Sequence, residues 1–220
     1  MESFICHDIM ILVMAKNMRD LVKEGYNKGE YAEVYARKST KLESFEKYIC
    51  EEFNSRLKKS SKILDLGCGV GLPYDGYFVK KGHLVTGVDL SEKHIELAKK
   101  NVKSAKYILG DFFSNKIKGK YDVIVSFYAI FHIPRTEHKK LFQRMYNLLK
   151  KNGYVLIVLG VEAMKYDVNP DFVGAPMAWS SYSVEKNKKL LKEAGFKILM
   201  AVEDYRDKGE RHLWILAEKI

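Results

Sequence analysis

Cysteine is scarce in this 220-residue chain: Cys6, Cys50 and Cys68 are all of it. An odd number at wide spacing excludes a disulfide framework and a zinc-finger spacing, and no metal site is expected. A reducing, cytoplasmic setting is the expected compartment. Long apolar runs are lacking too. The longest near the start covers residues 9–15 and is too short to cross a bilayer. Glu2 and Asp8 precede it, with no basic segment and no clear cleavage site, so neither a secretory leader nor a membrane anchor is expected. Four methionines within the first 18 residues leave Met1, Met14 and Met18 as candidate starts. The chain also lacks internal repeats, arginine clusters and basic patches interleaved with aromatics, the last two being marks of RNA-binding surfaces.

What is present is a globular composition, 47% hydrophobic and 30% charged, enough for one domain over 1–220 with a full core. The formal net charge is +10. It comes chiefly from lysines in pairs along the chain, such as Lys80–Lys81, Lys99–Lys100, Lys139–Lys140 and Lys188–Lys189. Such a surface raises the prospect of an acidic partner or RNA. The same enrichment also occurs in proteins from hot environments.

The most informative stretch is K-I-L-D-L-G-C-G-V-G-L, residues 62–72, with Asp89 ending the next apolar run, L-V-T-G-V-D. Alternating glycines mark a sharp turn that lets a ligand approach the backbone with no Cβ in the way. An acidic residue at the tip of the following strand is the usual holder of two ribose hydroxyls. A nucleoside-containing cofactor is therefore expected. A dinucleotide fingerprint would put its third glycine at position 72, where Leu72 stands, and here the glycine is Gly71. A phosphate-cradling P-loop is excluded, because no Gly-Lys-Ser or Gly-Lys-Thr follows.

The remaining pattern, Asp65-x-Gly67-x-Gly69-x-Gly71, resembles motif I of the class I S-adenosylmethionine-dependent methyltransferases. Gly110-Asp111-Phe112, the run Tyr121–His132 and the run Gly153–Leu159 fall where that family has its adenine-side, fourth and fifth motifs. The resemblance covers roughly residues 20–220.

The alternation of elements agrees with it. Strands are expected at Lys62–Leu66, Leu84–Asp89, Lys106–Leu109, Tyr121–Phe127, Gly153–Leu159, Lys197–Glu203 and Leu213–Lys219. Helices are expected at 41–57, with Leu42, Phe45, Ile49 and Phe53 on the buried stripe, and from the glycine loop to Lys81. Others are expected after the Ser91 cap, from Pro134 to Leu149, and at Val184–Ala194. Such alternation gives an α/β three-layer sandwich around a mainly parallel sheet. The resemblance implies a Rossmann-like seven-stranded sheet in the order 3-2-1-4-5-7-6, with the last strand antiparallel. The short turn before that strand allows only an antiparallel neighbour. The segments 1–40 and 160–182 fall outside the alternation and are expected to form a lid and a substrate-side insertion.

The resemblance implies S-adenosylmethionine as cofactor, with S-adenosylhomocysteine as product. Gly67, Gly69 and Gly71 would pass close to the methionine portion, and Asp65 would order its amino group. Cys68 would be a small filler in the turn. Asp89 would take the ribose hydroxyls, with Leu90 and Ser91 beside the adenine. Asp111 would either accept from the adenine amino group or close an Asx turn, and Phe112 would pack on the ring. Tyr26 and Phe127 are further cofactor contacts.

Methyl transfer needs alignment more than acid–base machinery. The candidate base, for an acceptor that must lose a proton, is His132, just beyond the fourth strand. As a base it would titrate near neutrality, and the rate would rise through that transition; the alternative is a rim histidine that only orders its loop. His212, in the terminal hairpin, is a weaker candidate, and His94 is expected on a helix surface with no catalytic part. The Asp/Asn-Pro-Pro-Tyr/Phe element of base-modifying relatives is absent, since Ser126-Phe127-Tyr128-Ala129 stands there. A small-molecule acceptor is the leading expectation, in a pocket of Tyr31, Tyr35, Tyr128, Phe131, Trp179 and Tyr182. An aromatic pocket suits a partly apolar or cationic acceptor. Transfer RNA is the alternative acceptor, a non-catalytic cofactor-binding module the alternative role, and monomer and homodimer are both open.

Overall fold

The computed structural model describes residues 17–28, 30–38, 41–206 and 209–220, with 35–38 described by backbone alone. Cys6, two of the candidate starts and the first part of the expected lid lie outside the described residues, as does the Tyr35 side chain.

The elements run α1 (Met18–Lys28), α2 (Tyr31–Lys38), α3 (Ser44–Ser55), β1 (Lys62–Leu66), α4 (Tyr74–Lys80), β2 (Leu84–Asp89), α5 (Glu92–Asn101), β3 (Lys106–Leu109), β4 (Tyr121–Ser126), α6 (His138–Leu148), β5 (Leu149–Gly160), β6 (Met164–Asn169), β7 (Met177–Ser181), α7 (Val184–Glu193), β8 (Phe196–Tyr205) and β9 (Arg211–Lys219). Two short 3-10 turns, Ile130–His132 and Arg135–Glu137, join β4 to α6. Seven strands form one sheet in the order β3-β2-β1-β4-β5-β9-β8. The first five are parallel, and β9 enters antiparallel between β5 and β8. This is the expected seven-stranded topology. To it the insertion adds a separate antiparallel pair, β6 with β7, where no regular structure was expected.

Central parallel strands are buried on both faces, so they read as continuous apolar runs. Successive side chains then part to opposite faces. Leu64, Leu66, Ile124, Val155 and Ile157 join the cluster under α6 and α7. Ile63, Val123, Val125, Leu156 and Trp214 join the cluster under α3 and α4. A third, smaller cluster stands apart: Met18, Leu21 and Val22 of α1 pack on Met177 and Ala178 of β7. The expected lid and the insertion therefore hold each other. Gly25 makes the approach close, because a Cβ there would come within 2.4 Å of the Pro176 carbonyl oxygen.

Several boundaries differ from expectation, and three of them have a clear physical cause. The helix after the glycine loop begins only at Tyr74, because Gly67, Gly69 and Gly71 all have positive φ and keep the loop out of helical geometry. α3 begins at Ser44, where Glu43 and Glu46 form a capping box. Phe45 lies half out of the core and meets Trp214 edge-on at 5.7 Å. β5 begins at Leu149 rather than Gly153. Its pairing with β4 jumps from Tyr121–Leu149 to Val123–Tyr154, so the intervening residues bulge out. Among the described residues no helix is long and apolar enough to cross a membrane.

Candidate active site

The carboxyl ends of β1, β2 and β4 meet where strand order reverses, which is where open α/β sheets bind ligands. A cavity of about 320 Å³ opens there. The loop after β1 forms its floor. The N–H groups of Gly67 and Cys68 both donate to the Val88 carbonyl at the end of β2, at 2.8 and 3.1 Å. Gly69 has φ +53°, and an added Cβ would meet nothing within 4 Å, so that face of the backbone is open. Gly71 does a different job. A Cβ there would come within 2.6 Å of the Tyr107 hydroxyl, and Gly71 does not line the cavity.

Asp89 closes one side at 7% exposure. One carboxylate oxygen accepts from the Gly69 N–H at 2.9 Å, and the other from the Ser91 N–H at 2.9 Å. His94 Nδ1 stands 3.2 Å from that second oxygen. Burial alone would raise the Asp89 carboxyl, but the neighbouring imidazole and the two backbone donors hold it below the ordinary carboxylate range. It is ionised in neutral solution. The sequence reading had set His94 on an outer helix face. The structure corrects this: His94 is buried, lines the cavity and has its ring 4.7 Å from that of Tyr26. Ser91 caps α5, accepting from the His94 N–H at 3.1 Å, and donates to Asn27 on α1 at 2.7 Å. It supports the wall without lining it, whereas Leu90 lines it.

Asp65 lies at the back, 2% exposed, with one oxygen lacking any hydrogen-bond partner. Asp75, which sequence reasoning missed, is its buried neighbour, close to the Tyr107 hydroxyl. Burial pushes both carboxyls up, Asp75 to about 7 and Asp65 well above its usual range, with each other's proximity adding to Asp65. Such a pair retains a proton in neutral solution. Cys68 is buried in the turn, and burial raises its thiol, so it is no thiolate nucleophile.

On the opposite side, Asp111 accepts from the Phe113 N–H at 2.9 Å, which is the Asx turn. Its other oxygen is 3.7 Å from Arg19 Nε on α1. Asp111 and the buried Phe112 both line the cavity. Phe127 does so too, stacked on Tyr74 with centroids 3.7 Å apart.

His132 is 7% exposed rather than a rim residue. Its Nδ1 lies 2.9 Å from the Ala178 carbonyl, so that nitrogen carries the proton. Nε2 is then the acceptor, and the Tyr26 hydroxyl donates to it at 2.9 Å. Burial lowers its pKa to about 4. This corrects the expectation of a transition near neutrality: His132 is neutral across the physiological range.

A second cavity of about 460 Å³ adjoins the first, sharing Tyr26, Tyr31, Tyr128 and His132 as common wall. Phe131 and Trp179 line it, as expected of pocket residues. Tyr182 lines neither cavity, correcting its place in the expected pocket. It lies 5.7 Å from the His138 ring, with Arg135 5.2 Å above it. His212, the weaker candidate in the sequence, lines the second cavity. Tyr128 has φ +54°, a strained conformation for a bulky residue. A polar network over-determines it: its hydroxyl donates to Glu46 at 3.1 Å, Arg206 bonds both Glu46 and Tyr128, and Asp204 accepts from Trp214 Nε1 at 3.1 Å and lies 3.3 Å from Arg206. Residues 46 and 206 are far apart in sequence, and no local spacing announces their pairing. Among the described residues, no cluster of His, Cys, Asp and Glu could hold a metal ion.

The comparisons with known proteins agree with this geometry. A methyltransferase-domain family matches residues 63–153. The chain is similar to phosphoethanolamine N-methyltransferase 3 of Arabidopsis thaliana, 32% identical over 159 residues that cover 69% of this chain and 31% of that protein. It is 35% identical over 103 residues to a ubiquinone biosynthesis O-methyltransferase of Pelagibacter ubique, covering 45% of this chain and 42% of that one. The chain thus matches well under half the length of these curated relatives. Among solved structures, the magnesium protoporphyrin IX methyltransferase of Synechocystis PCC 6803 with bound SAM superposes with a TM-score of 0.70 at 16% identity, over 94% of this chain and 99% of that one. That likeness is one of fold. A methyltransferase domain is thus matched over residues 63–153, and the sheet order gives the chain the fold of the class I, Rossmann-like S-adenosylmethionine-dependent methyltransferases.

Proposed function

We propose that the protein transfers a methyl group from S-adenosylmethionine to a small-molecule acceptor, with the cofactor in the first cavity and the acceptor in the second. The observation that carries this reading is the common wall: two cavities of small-molecule size meet at Tyr26, Tyr128 and His132, directly beyond the glycine loop. The residues present fit the cofactor. Asp65 offers a buried, unpartnered oxygen for an ammonium group, Asp89 an ionised carboxylate for paired hydroxyls, and Gly69 an open backbone face. When bound, S-adenosylmethionine supplies an activated methyl group on a positively charged sulfur. The chain's own task is to orient the acceptor behind that methyl and keep water out.

In this reading α1 and α2 with the β6–β7 pair form a cap over both cavities. Arg19 pairs with Glu137, Lys23 with Glu92 at 2.7 Å, and Lys93 with Glu33 at 2.8 Å, each tying cap to body. His132 serves through its fixed tautomer: it accepts from Tyr26 and holds that hydroxyl on the boundary between the cavities. It is a candidate base only through Nε2, and only where the Tyr26 hydroxyl gives up its hydrogen bond to that nitrogen.

The test is an untargeted one. The protein is incubated with methyl-labelled S-adenosylmethionine and a metabolite extract, with and without ribonuclease, and the labelled product is identified by mass spectrometry. Label in a ribonuclease-resistant small product is expected. Label confined to RNA would overturn the small-molecule reading, and no label in any product would leave only the binding role.

A further inference from the structure

The second cavity carries a ring of aromatics that closes on itself. Tyr26 meets Tyr31 at 5.3 Å, Tyr31 meets Phe172 at 5.4 Å, and Phe172 meets Trp179 at 5.1 Å. Trp179 meets His132 at 5.8 Å, and His132 returns to Tyr26 at 5.4 Å. All five line the same space. Aromatic rings lining one space attract a cation that comes within roughly 6 Å of their centroids. His132 is neutral, so its ring adds no repelling charge.

The charge around this cavity points the same way. Arg206 and Arg211 line it, but neither is a free cation. Arg206 is bound by Glu46 and Asp204, and Arg211 by Glu203 and Glu162. Glu210 lines the cavity as well. Glu162 and Glu210 thus line the cavity beside two arginines that are already paired, so neither guanidinium group is left to oppose an ammonium group.

We infer that the second cavity recognises a methylated ammonium group, and that the acceptor is an amine carried to the tertiary or quaternary level. This rests on the donor reading of the first cavity. The amine lone pair forms the new bond to the methyl carbon while the carbon–sulfur pair leaves to sulfur. Positive charge passes from sulfur to nitrogen, where the ring faces can meet it. A tertiary amine has no proton to lose, which agrees with a histidine whose Nε2 already accepts a hydrogen bond.

Titration calorimetry on the full chain saturated with S-adenosylhomocysteine tests this. The probes are choline and its uncharged isostere 3,3-dimethylbutan-1-ol. Choline is expected to bind at least tenfold more tightly. Trp179→Leu and, separately, Phe172→Leu are each expected to weaken choline at least tenfold while S-adenosylhomocysteine affinity and the thermal melt are kept. Equal affinity for the two probes would overturn the inference, as would no choline binding by protein that binds S-adenosylhomocysteine, or choline affinity unmoved in whichever variant folds. Choline binding without S-adenosylhomocysteine binding would support the cage and sink the donor reading alone.

Discussion

The floor and the cap of this site are built by different physics. The floor is the carboxyl edge of a parallel sheet. Its loop is pinned by backbone hydrogen bonds to Val88, and its key carboxylate by two N–H donors. Nearly every side chain beneath it is buried on one face or the other. The cap rests on a five-residue apolar cluster and on ion pairs that are part-exposed, such as Lys23–Glu92. Exposed pairs are worth roughly 0–1 kcal/mol each and are screened by salt. On the proposed reading the floor is pre-formed for its ligand, and the cap is the part expected to open and admit one.

The sharpest break of this contrast comes at Asp89. Removing it takes away a charged acceptor and also orphans two backbone donors of the floor. Hydrogen bonds to a charged group are worth roughly 1.5–3 kcal/mol each. Asp89→Ala is expected to weaken S-adenosylhomocysteine binding at least a hundredfold by calorimetry, with the fold retained by circular dichroism. Unchanged affinity would put the ribose elsewhere.

Two buried histidines, His132 between the cavities and His138 at the start of α6, have pKa values lowered to about 4 by burial. Their folded-state values lie below the unfolded value, so the stability they contribute is complete above about pH 6.5. It is lost as pH falls towards 4, by about 3 kcal/mol for each. His138→Phe should flatten the acid limb of a plot of melting temperature against pH. A limb as steep as that of the parent would contradict the buried-neutral assignment. Asp75 gives the opposite sign. Its carboxyl is raised to about 7, so its contribution is lost as pH rises from about 4 through 7. Asp75→Asn should therefore raise the melting temperature at pH 8 and change it little at pH 4. A gain confined to low pH would refute this.

Smaller effects are expected in the cap. Trypsin should cleave within 17–38 and 160–182 more slowly when S-adenosylhomocysteine is bound, and Leu21→Ala should erase part of that protection by hollowing the small cluster. Equal rates with and without ligand would make the cap fixed structure. Arg19→Ala, which removes part-exposed pairs with Glu137 and Asp111 and the contact over the Phe113 ring, should cost about 1–2 kcal/mol in urea unfolding.

The same contrast governs what could be read in the sequence. The strands were legible because each is a local apolar run and each crossover a local helix, and the glycine loop with Asp89 followed from neighbours in the chain, whereas the order of the seven strands came with the family resemblance. The cap was not. α1 does carry a stripe, Met18, Leu21, Val22 and Gly25, but a glycine stands where a helix former is expected. Only Pro176, far away in sequence, explains it. β6 is largely exposed and shows no alternation to reveal it. Within the site, Asp65, Gly69 and Asp89 were legible by spacing. Asp75, Glu46 and Arg206 were not, because their partners come from other elements. His94 was misread because a histidine on an amphipathic helix looks solvent-facing until α1 covers it.

The central claim is that the floor takes an S-adenosyl cofactor. Titration calorimetry with S-adenosylhomocysteine, S-adenosylmethionine, NAD and ATP tests it most directly. Saturable binding of one equivalent of either S-adenosyl compound, with nothing comparable for NAD or ATP, is the expected result. Preference for NAD, with no heat from S-adenosylhomocysteine, would contradict the assignment at its root.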